Sequence, residues 1–363
     1  MMKTSFVVQG NQYGLQDADC WINKGDFIAI KASGWIGTRI GEVVEPDGAD
    51  ANGKTYAAVD DVFGTHPTTS LPKYVLMVGI NNEFYQGGKN ELLHSGHEGR
   101  LAFGINDNMT MDNNGWWDVE YSVGDHVEQD ILIVVQNYKE EIEHIEKAVQ
   151  DLAAFVYEHS GKKIKLNMTL HQAEFDLVPG DFLLSGSDGG AITSVTKDFK
   201  TKLESEGVDI SAFHCVMRLY KYPAVTGWRT PSKDYGDTWP RFTTAGFLSP
   251  ITVSVNLDVV NYNDFGFSTG DYKPPLYNVL VHEYMHVLYN MFEEKKVAGF
   301  ASADDKGKNK IPYTRYGGGS LTDPVQIGEK ESMSYYQNML RLTESLTPPQ
   351  YQYLHDGFGY LAR

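Results

Sequence analysis

The chain has little cysteine, a shortage of positive charge and no long apolar run. Only two cysteines, Cys20 and Cys215, occur in 363 residues. They lie far apart, fit no metal-ligand spacing and are too few for a disulfide scaffold. The plain reading is two small, unpaired apolar residues. Lys and Arg number 31 against 48 Asp and Glu, a formal charge of -17. Phosphate binding needs clustered basic side chains, so nucleic acid is not an expected partner. No tract reaches the 18 or more apolar residues of a transmembrane helix. The opening MMKTSFVVQGNQYG holds one Lys and a short apolar stretch, without the long apolar core of a secretory signal. The expectation is a soluble chain that is cytoplasmic, already processed, or secreted by a route without a classical signal peptide.

What is present reads as two domains, because 363 residues exceed what one core usually organises. Up to about residue 126, short β-branched or aromatic runs such as Phe27-Ile28-Ala29-Ile30 and Tyr74-Val75-Leu76-Met77-Val78 alternate with Gly, Asn and Asp clusters. That punctuation predicts an all-β sandwich over 1–126. The texture then changes. Ile142, Ile145, Val149, Leu152 and Val156 recur at steps of three and four, the stripe of an amphipathic helix that His159-Ser160-Gly161 stops. An alternating strand follows at Lys163 to Leu170, and a helix over 196–206. A strand from Ile251 to Val259 comes next, then helices over 277–296 and, as the last one, 329–345. Residues 127–363 are therefore expected to form an α+β domain.

The densest chemistry lies in Val279-Leu280-Val281-His282-Glu283-Tyr284-Met285-His286-Val287-Leu288. Residues four apart share a helix face about 6 Å from one another, so His282 and His286 can hold one tetrahedral zinc. Glu283, beside the first ligand, can take a proton from a zinc-bound water and pass it to the leaving amine. The bland alternative is a helix whose polar residues face solvent. The apolar neighbours argue instead for a buried helix, where His, Glu and His need partners. This is the HExxH pattern of zinc metallopeptidases. Its continuation is not HxxGxxH, since Tyr289 and Phe292 stand at the Gly and second His positions, which excludes the metzincin arrangement.

Downstream, Gly328-Glu329-Lys330-Glu331-Ser332-Met333-Ser334 resembles the gluzincins, whose third zinc ligand is a Glu on a later helix. In several of them a small residue follows three positions on, as Ser334 follows Glu331. The resemblance implies Glu331 as third ligand, with Glu329 as the other candidate. Glu293 and Glu294 lie too far along the motif helix to close the same site. Some gluzincins stabilise the oxyanion with a Tyr or His, which points to Tyr313 or Tyr316 beside Gly317-Gly318-Gly319; the alternative is a packing or surface role. In such folds an antiparallel edge strand ahead of the motif helix binds extended peptide, and Ile251 to Val259 is the strand expected there.

Residues of roughly 15–125 are similar to the PA-I galactophilic lectin family of calcium-dependent sandwiches. Three stretches carry the resemblance: Lys24-Gly25-Asp26-Phe27-Ile28-Ala29-Ile30-Lys31-Ala32-Ser33-Gly34-Trp35; Tyr74 to Gly79; and Ile105-Asn106-Asp107 with Asp112-Asn113-Asn114-Gly115. Calcium takes six to eight oxygen ligands, and Asp107, Asn113 and Asn114 supply such oxygens. The resemblance adds backbone carbonyls of Thr38 and of Thr110 or Met111. It also implies sugar contacts from His66-Pro67, Asp107 and Asn114. Thr38 stands where the family has a Tyr and Thr69 where it has a Gln, and the loop after Asp107 is one residue shorter. These departures bear on galactose specificity more than on calcium. The alternative is an Asn/Gly-rich turn with no ion. Trp116 and Trp117 offer a sugar platform, with core packing or a strand surface as the alternatives.

Together these readings favour a zinc-dependent endopeptidase acting on protein or peptide and brought to its substrate by a glycan-binding domain. Two alternatives are a lectin-like binding protein with a non-proteolytic zinc domain, and an effector or toxin protease acting in a host or competitor cell.

Overall fold

The protein is described by a computed structural model, which covers residues 3–38, 43–56, 66–138, 142–175, 197–221, 236–239, 251–257, 276–294 and 336–356. It divides into two compact units, Met1–Val127 and Glu128–Arg363.

The first unit is two antiparallel sheets around one core. One sheet joins β1 (Lys3–Gln9), β9 (Asn114–Gly124), β3 (Phe27–Gly37) and β4 (Val43–Val44), with β7 (Asn90–His94) also on β3. The other joins β2 (Gln16–Ile22), β8 (Gly99–Ile105), β5 (Leu76–Ile80) and β6 (Glu83–Gln86). Alternation builds the interior. In β9, Trp117, Val119 and Tyr121 are buried while Trp116, Asp118 and Glu120 are exposed. With Val8, Ile28, Ile30, Leu76, Val78, Leu101 and Phe103, from strands of both sheets, they form one cluster. Between β5 and β6 the chain reverses on Asn81 and Asn82, with φ of 49° and 64°. Asn tolerates that left-handed region, as a two-residue hairpin turn requires. The short apolar stretch near the start, Phe6-Val7-Val8, belongs to β1, paired from Lys3↔Ser122 to Gln9↔Trp116. Trp117 is fully buried and its indole N–H donates to Val44 O at 3.4 Å. It is a core residue, so of the readings open for Trp117 core packing holds and the sugar platform does not.

The second unit centres on a five-stranded sheet ordered β11-β10-β12-β14-β13. Its strands are β10 (Val127–Gln136), β11 (Ile164–Gln172), β12 (Cys215–Tyr220), β13 (Gly236–Trp239) and β14 (Ile251–Asn256). β10, β12 and β14 run parallel, and β13 lies antiparallel on β14. Lys165 reaches Glu128, Asn167 reaches Asp130, and Ala173 N donates to Val135 O. The numbers climb together, so β11 follows β10 in the same direction. Helix α1 (Ile142–His159) connects them, burying Ile145, Val149, Leu152 and Val156. It ends at Gly161, φ 62°, a conformation glycine adopts without strain. Helix α2 (Lys197–Ser205) buries Phe199 and Leu203 against Leu132, Val134 and Val216. Helix α3 (Leu276–Glu294) packs on α1, β13 and β14.

Two expectations change here. The strand beginning at Ile251 is interior, since Cys215↔Ile251 pairing occupies one side and Gly236↔Val255 pairing the other. The outermost strand beyond it, among the described residues, is β13. The last helix is also not 329–345. Helix α4 covers 336–341, a 3-10 turn follows at Leu342–Ser345, and a further helix α5 runs Pro348–Asp356. Residues 329–335 lie outside the described ones. Thr347 starts α5 by a reciprocal cap: Thr347 N donates to Gln350 Oε1 at 2.8 Å, and Gln350 N to Thr347 O at 2.9 Å. Pro348 and Pro349 suit the first turn, where a helix needs no N–H.

Candidate functional site

The motif helix α3 is apolar nearly all round. Leu276, Val279, Leu280, Val281, Tyr284, Met285, Leu288, Met291 and Phe292 are buried, as expected of a helix enclosed by its own domain. His282 and Glu283 are buried with them, at 7% and 3% exposure. Burying two ionisable groups in an apolar helix is costly unless they are paired.

The two histidines face each other. Their Nε2 atoms are 3.1 Å apart, the ring centroids 4.7 Å, and the planes meet at 89°. Two nitrogens bound to one tetrahedral zinc at about 2.0–2.1 Å stand about 3.3 Å apart, so the pair is spaced for a shared ion. The same spacing suits an N–H···N hydrogen bond. Burial holds the His282 imidazole well below its usual pKa, and the neighbouring His286 adds to the effect. The ring is therefore neutral at pH 7, the form that ligates metal. On its far side, His282 Nδ1 lies 2.6 Å from the hydroxyl of Tyr336 on α4. Tyr336 is buried.

A second buried network fixes the helix. Tyr284 donates to Gln129 Oε1 at 2.7 Å, and Gln129 Nε2 donates to Leu354 O on α5 at 2.8 Å. Burial pushes the Tyr284 phenol well above its ordinary pKa, so it remains a donor. Tyr351 donates to Thr343 O at 2.6 Å, and Thr343 Oγ1 reaches Ser160 O at 3.3 Å. Helices α4 and α5 are thereby tied to the end of α1.

Among the described residues no group of three His, Cys, Asp or Glu side chains gathers to hold a metal. The other expected members, Glu331, Glu329, Tyr313 and Tyr316, lie outside those residues. Sequence reasoning gave no role to Tyr336 or Gln129. Nothing in a single Tyr or Gln marks it, and both act across more than 50 residues of chain.

In the first unit, Asp107 and Asn113 come together. Asn113 Nδ2 donates to Asp107 Oδ2 at 2.8 Å and to Gly10 O at 3.1 Å. Both side chains are buried. Asn113 Oδ1 and Thr110 Oγ1 are buried and have no hydrogen-bond partner among the described residues. Asn114 takes a different position: its Oδ1 lies where a Cβ on Gly37 would come within 2.5 Å, and the same Cβ would touch the Trp35 ring at 3.6 Å. Glycine at 37 thus makes room for the Asn114 carboxamide beside Trp35. Thr38, the next residue, is buried, whereas Met111 is exposed.

The loop after His66-Pro67 is held to the Asp107 strand end by Asn106, to which the sequence reading gave no role of its own. Its Oδ1 accepts from Thr68 N at 3.3 Å, and its Nδ2 approaches Thr68 O, Leu71 O and Pro72 O at 2.9–3.1 Å. Trp35 and Trp116 are directly opposed across β3 and β9 and about half exposed.

Neither a protein-family profile nor a curated protein matches the chain. Among solved structures, a chain described as the EclA N-terminal domain, a PllA-like lectin, is 23% identical, with 33% of this chain and 95% of that chain aligned and a TM-score of 0.25. At that score the likeness does not define the fold, which rests on the strand pairing given above. Among the described residues no helix is long and apolar enough to cross a membrane.

Proposed function

We propose that this chain is a zinc-dependent endopeptidase whose first unit binds calcium and a galactose-type glycan. The observation that carries the enzymatic reading is the 3.1 Å approach of His282 and His286 Nε2 on a buried helix, with Glu283 one residue on. Support from the surrounding fold is a mixed sheet whose outermost described strand, β13, is antiparallel and precedes a motif helix packed on β13 and β14. A zincin-like domain presents its peptide-binding strand in that way, so β13 takes the place first assigned to Ile251–Val259.

His282 and His286 would hold zinc, and Glu331 would complete the ligand set. Zinc in such a setting lowers the pKa of water to about 7 and polarises a carbonyl. The chain's own contribution is proton traffic and alignment. The Glu283 carboxylate accepts a proton from the attacking water and delivers it to the leaving amine nitrogen. An extended peptide on β13 pairs through its backbone, which sets cleavage by conformation before side-chain preference. Tyr313 or Tyr316 donates to the developing oxyanion.

The test is metal analysis joined to a protein-digestion assay on the full chain. One zinc per chain and hydrolysis are expected. Chelation should stop the activity and one equivalent of zinc restore it. Glu331→Ala should lose zinc where Glu329→Ala keeps it. A zinc-free, inactive protein that does not respond to added zinc overturns the reading.

The calcium part is supported by a buried carboxylate, Asp107, beside an Asn113 carbonyl oxygen that accepts no hydrogen bond among the described residues. A hard cation is the natural partner for such oxygens. With calcium held there, His66 and Asn114 would meet the sugar, and exposed Trp116 with Trp35 would offer apolar faces to its rings. Calorimetry should show calcium binding and then calcium-dependent galactose binding, both abolished by Asp107→Ala. No heat with either ligand sinks the lectin assignment and leaves the peptidase one standing.

A further inference from the structure

We propose that Tyr336 is a positioning residue that fixes the tautomer of His282, so that its Nε2 lone pair faces His286. The inference rests on the zinc reading above and goes beyond it, to a residue that has no place in the HExxH motif.

The geometry leaves two arrangements of protons. The Tyr336 hydroxyl lies 2.6 Å from His282 Nδ1, and His282 Nε2 lies 3.1 Å from His286 Nε2. A neutral imidazole carries one N–H, so one nitrogen donates and the other accepts. If Nδ1 carried the lone pair, Nε2–H would point at His286 and His282 could not ligate through that atom. If Nδ1–H donates to the phenol oxygen, the Nε2 lone pair faces His286. Ligating histidines are held by a bond of this second kind, from the ring nitrogen that does not touch the metal. Tyr336 and His282 are both buried, so bulk water competes poorly for Nδ1.

The proton balance follows. In the metal-free protein, His286 Nε2–H donates to His282 Nε2. For His286 to hold a metal through Nε2, that proton would have to leave, either for its own Nδ1 or for solvent. His286 is the more accessible of the two rings, so the exchange falls on the ring that water can reach. The buried ring keeps one proton on one atom throughout.

The partner is a neutral phenol rather than a carboxylate. It orients the ring without placing a negative charge behind it. The pair also anchors α4 to α3.

Tyr336→Phe removes only the hydroxyl. Zinc affinity, measured by chelator competition, should fall about 10- to 100-fold, while far-UV circular dichroism is unchanged. Nitrogen-15 NMR of the metal-free wild-type protein should show His282 as the Nδ1–H tautomer. The Phe variant should show a mixture or the Nε2–H form. Tyr336→Gln, which restores an acceptor on a shorter side chain, should recover part of the affinity. Zinc affinity within twofold of wild type in Tyr336→Phe, or an Nε2–H tautomer in the wild-type protein, overturns the inference. A wild-type protein that binds no zinc overturns the zinc reading instead, and the tautomer measurement still decides the role of Tyr336.

Discussion

Replacing Glu283 with Gln is expected to leave the zinc content at the wild-type level and to lower kcat by about 100- to 10,000-fold, the usual contribution of a general acid–base. Gln keeps the volume and one carbonyl oxygen, so the helix should tolerate it at a site only 3% exposed. What it lacks is a group that holds a proton in one step and gives it up in the next. In the proposed role Glu283 would shuttle a proton without ligating, so KM should change much less than kcat. The pair of readings separates the possibilities. Zinc retained with activity lost is the expected outcome. Zinc lost as well would mean that the carboxylate helps build the site. Full activity with zinc in place would show that another group moves the proton.

Trp117→Ala should destabilise the first unit by about 3–5 kcal/mol, the usual cost of emptying a large aromatic from a core. Its indole is fully buried among Val8, Ile36, Val44 and Val119, and its N–H donates to Val44 O. Truncation would open a cavity and leave that carbonyl without its donor. Trp116→Ala, one position along the strand, should change stability by less than about 0.5 kcal/mol, as surface substitutions do. The residue is 52% exposed and its indole N–H donates to Asp118 Oδ2 at 3.3 Å. Denaturant melts of the two variants would read the contrast directly. Similar costs for both would mean that Trp116 is not the surface residue described.

These adjacent tryptophans show what the sequence could and could not reveal. Composition allowed either of them to be a platform, and only strand phase decides between them. Glu120, Asp118 and Trp116 share one face of β9, while Tyr121, Val119 and Trp117 share the other. The α1 stripe was legible because an amphipathic helix writes its burial into its spacing, and the glycine at 161 marks its end. The β10 and β12 strands carried no such sign. Cys215 to Tyr220 is buried at every position, as interior strands of parallel sheets are. A run of that kind has no period to detect. Helix α5 did leave a local mark, Thr347-Pro348-Pro349-Gln350, the sequence pattern of a capping box with prolines in the first turn, of which the Gln350 side chain makes its half. The approach of His282 and His286 was readable because a helix converts a spacing of four into a shared face. Tyr336 was not, since its proximity to His282 arises from the packing of α4 against α3 rather than from any spacing along the chain.

The first strand pairs with one of the last in its unit, and this matters for biosynthesis. β1 joins β9, with Lys3 opposite Ser122. On a ribosome that adds about 5–20 residues per second, the N-terminal strand therefore waits several seconds for its neighbour to emerge. During that interval Phe6, Val7 and Val8 are an unpaired apolar edge, the kind of segment that nascent chains expose to chaperones or to one another. The sandwich closes only when nearly all of it has been translated. A stalled or truncated message ending before residue 114 would yield a chain with no β9 for β1 or for β3 to pair with, and neither sheet edge would be covered.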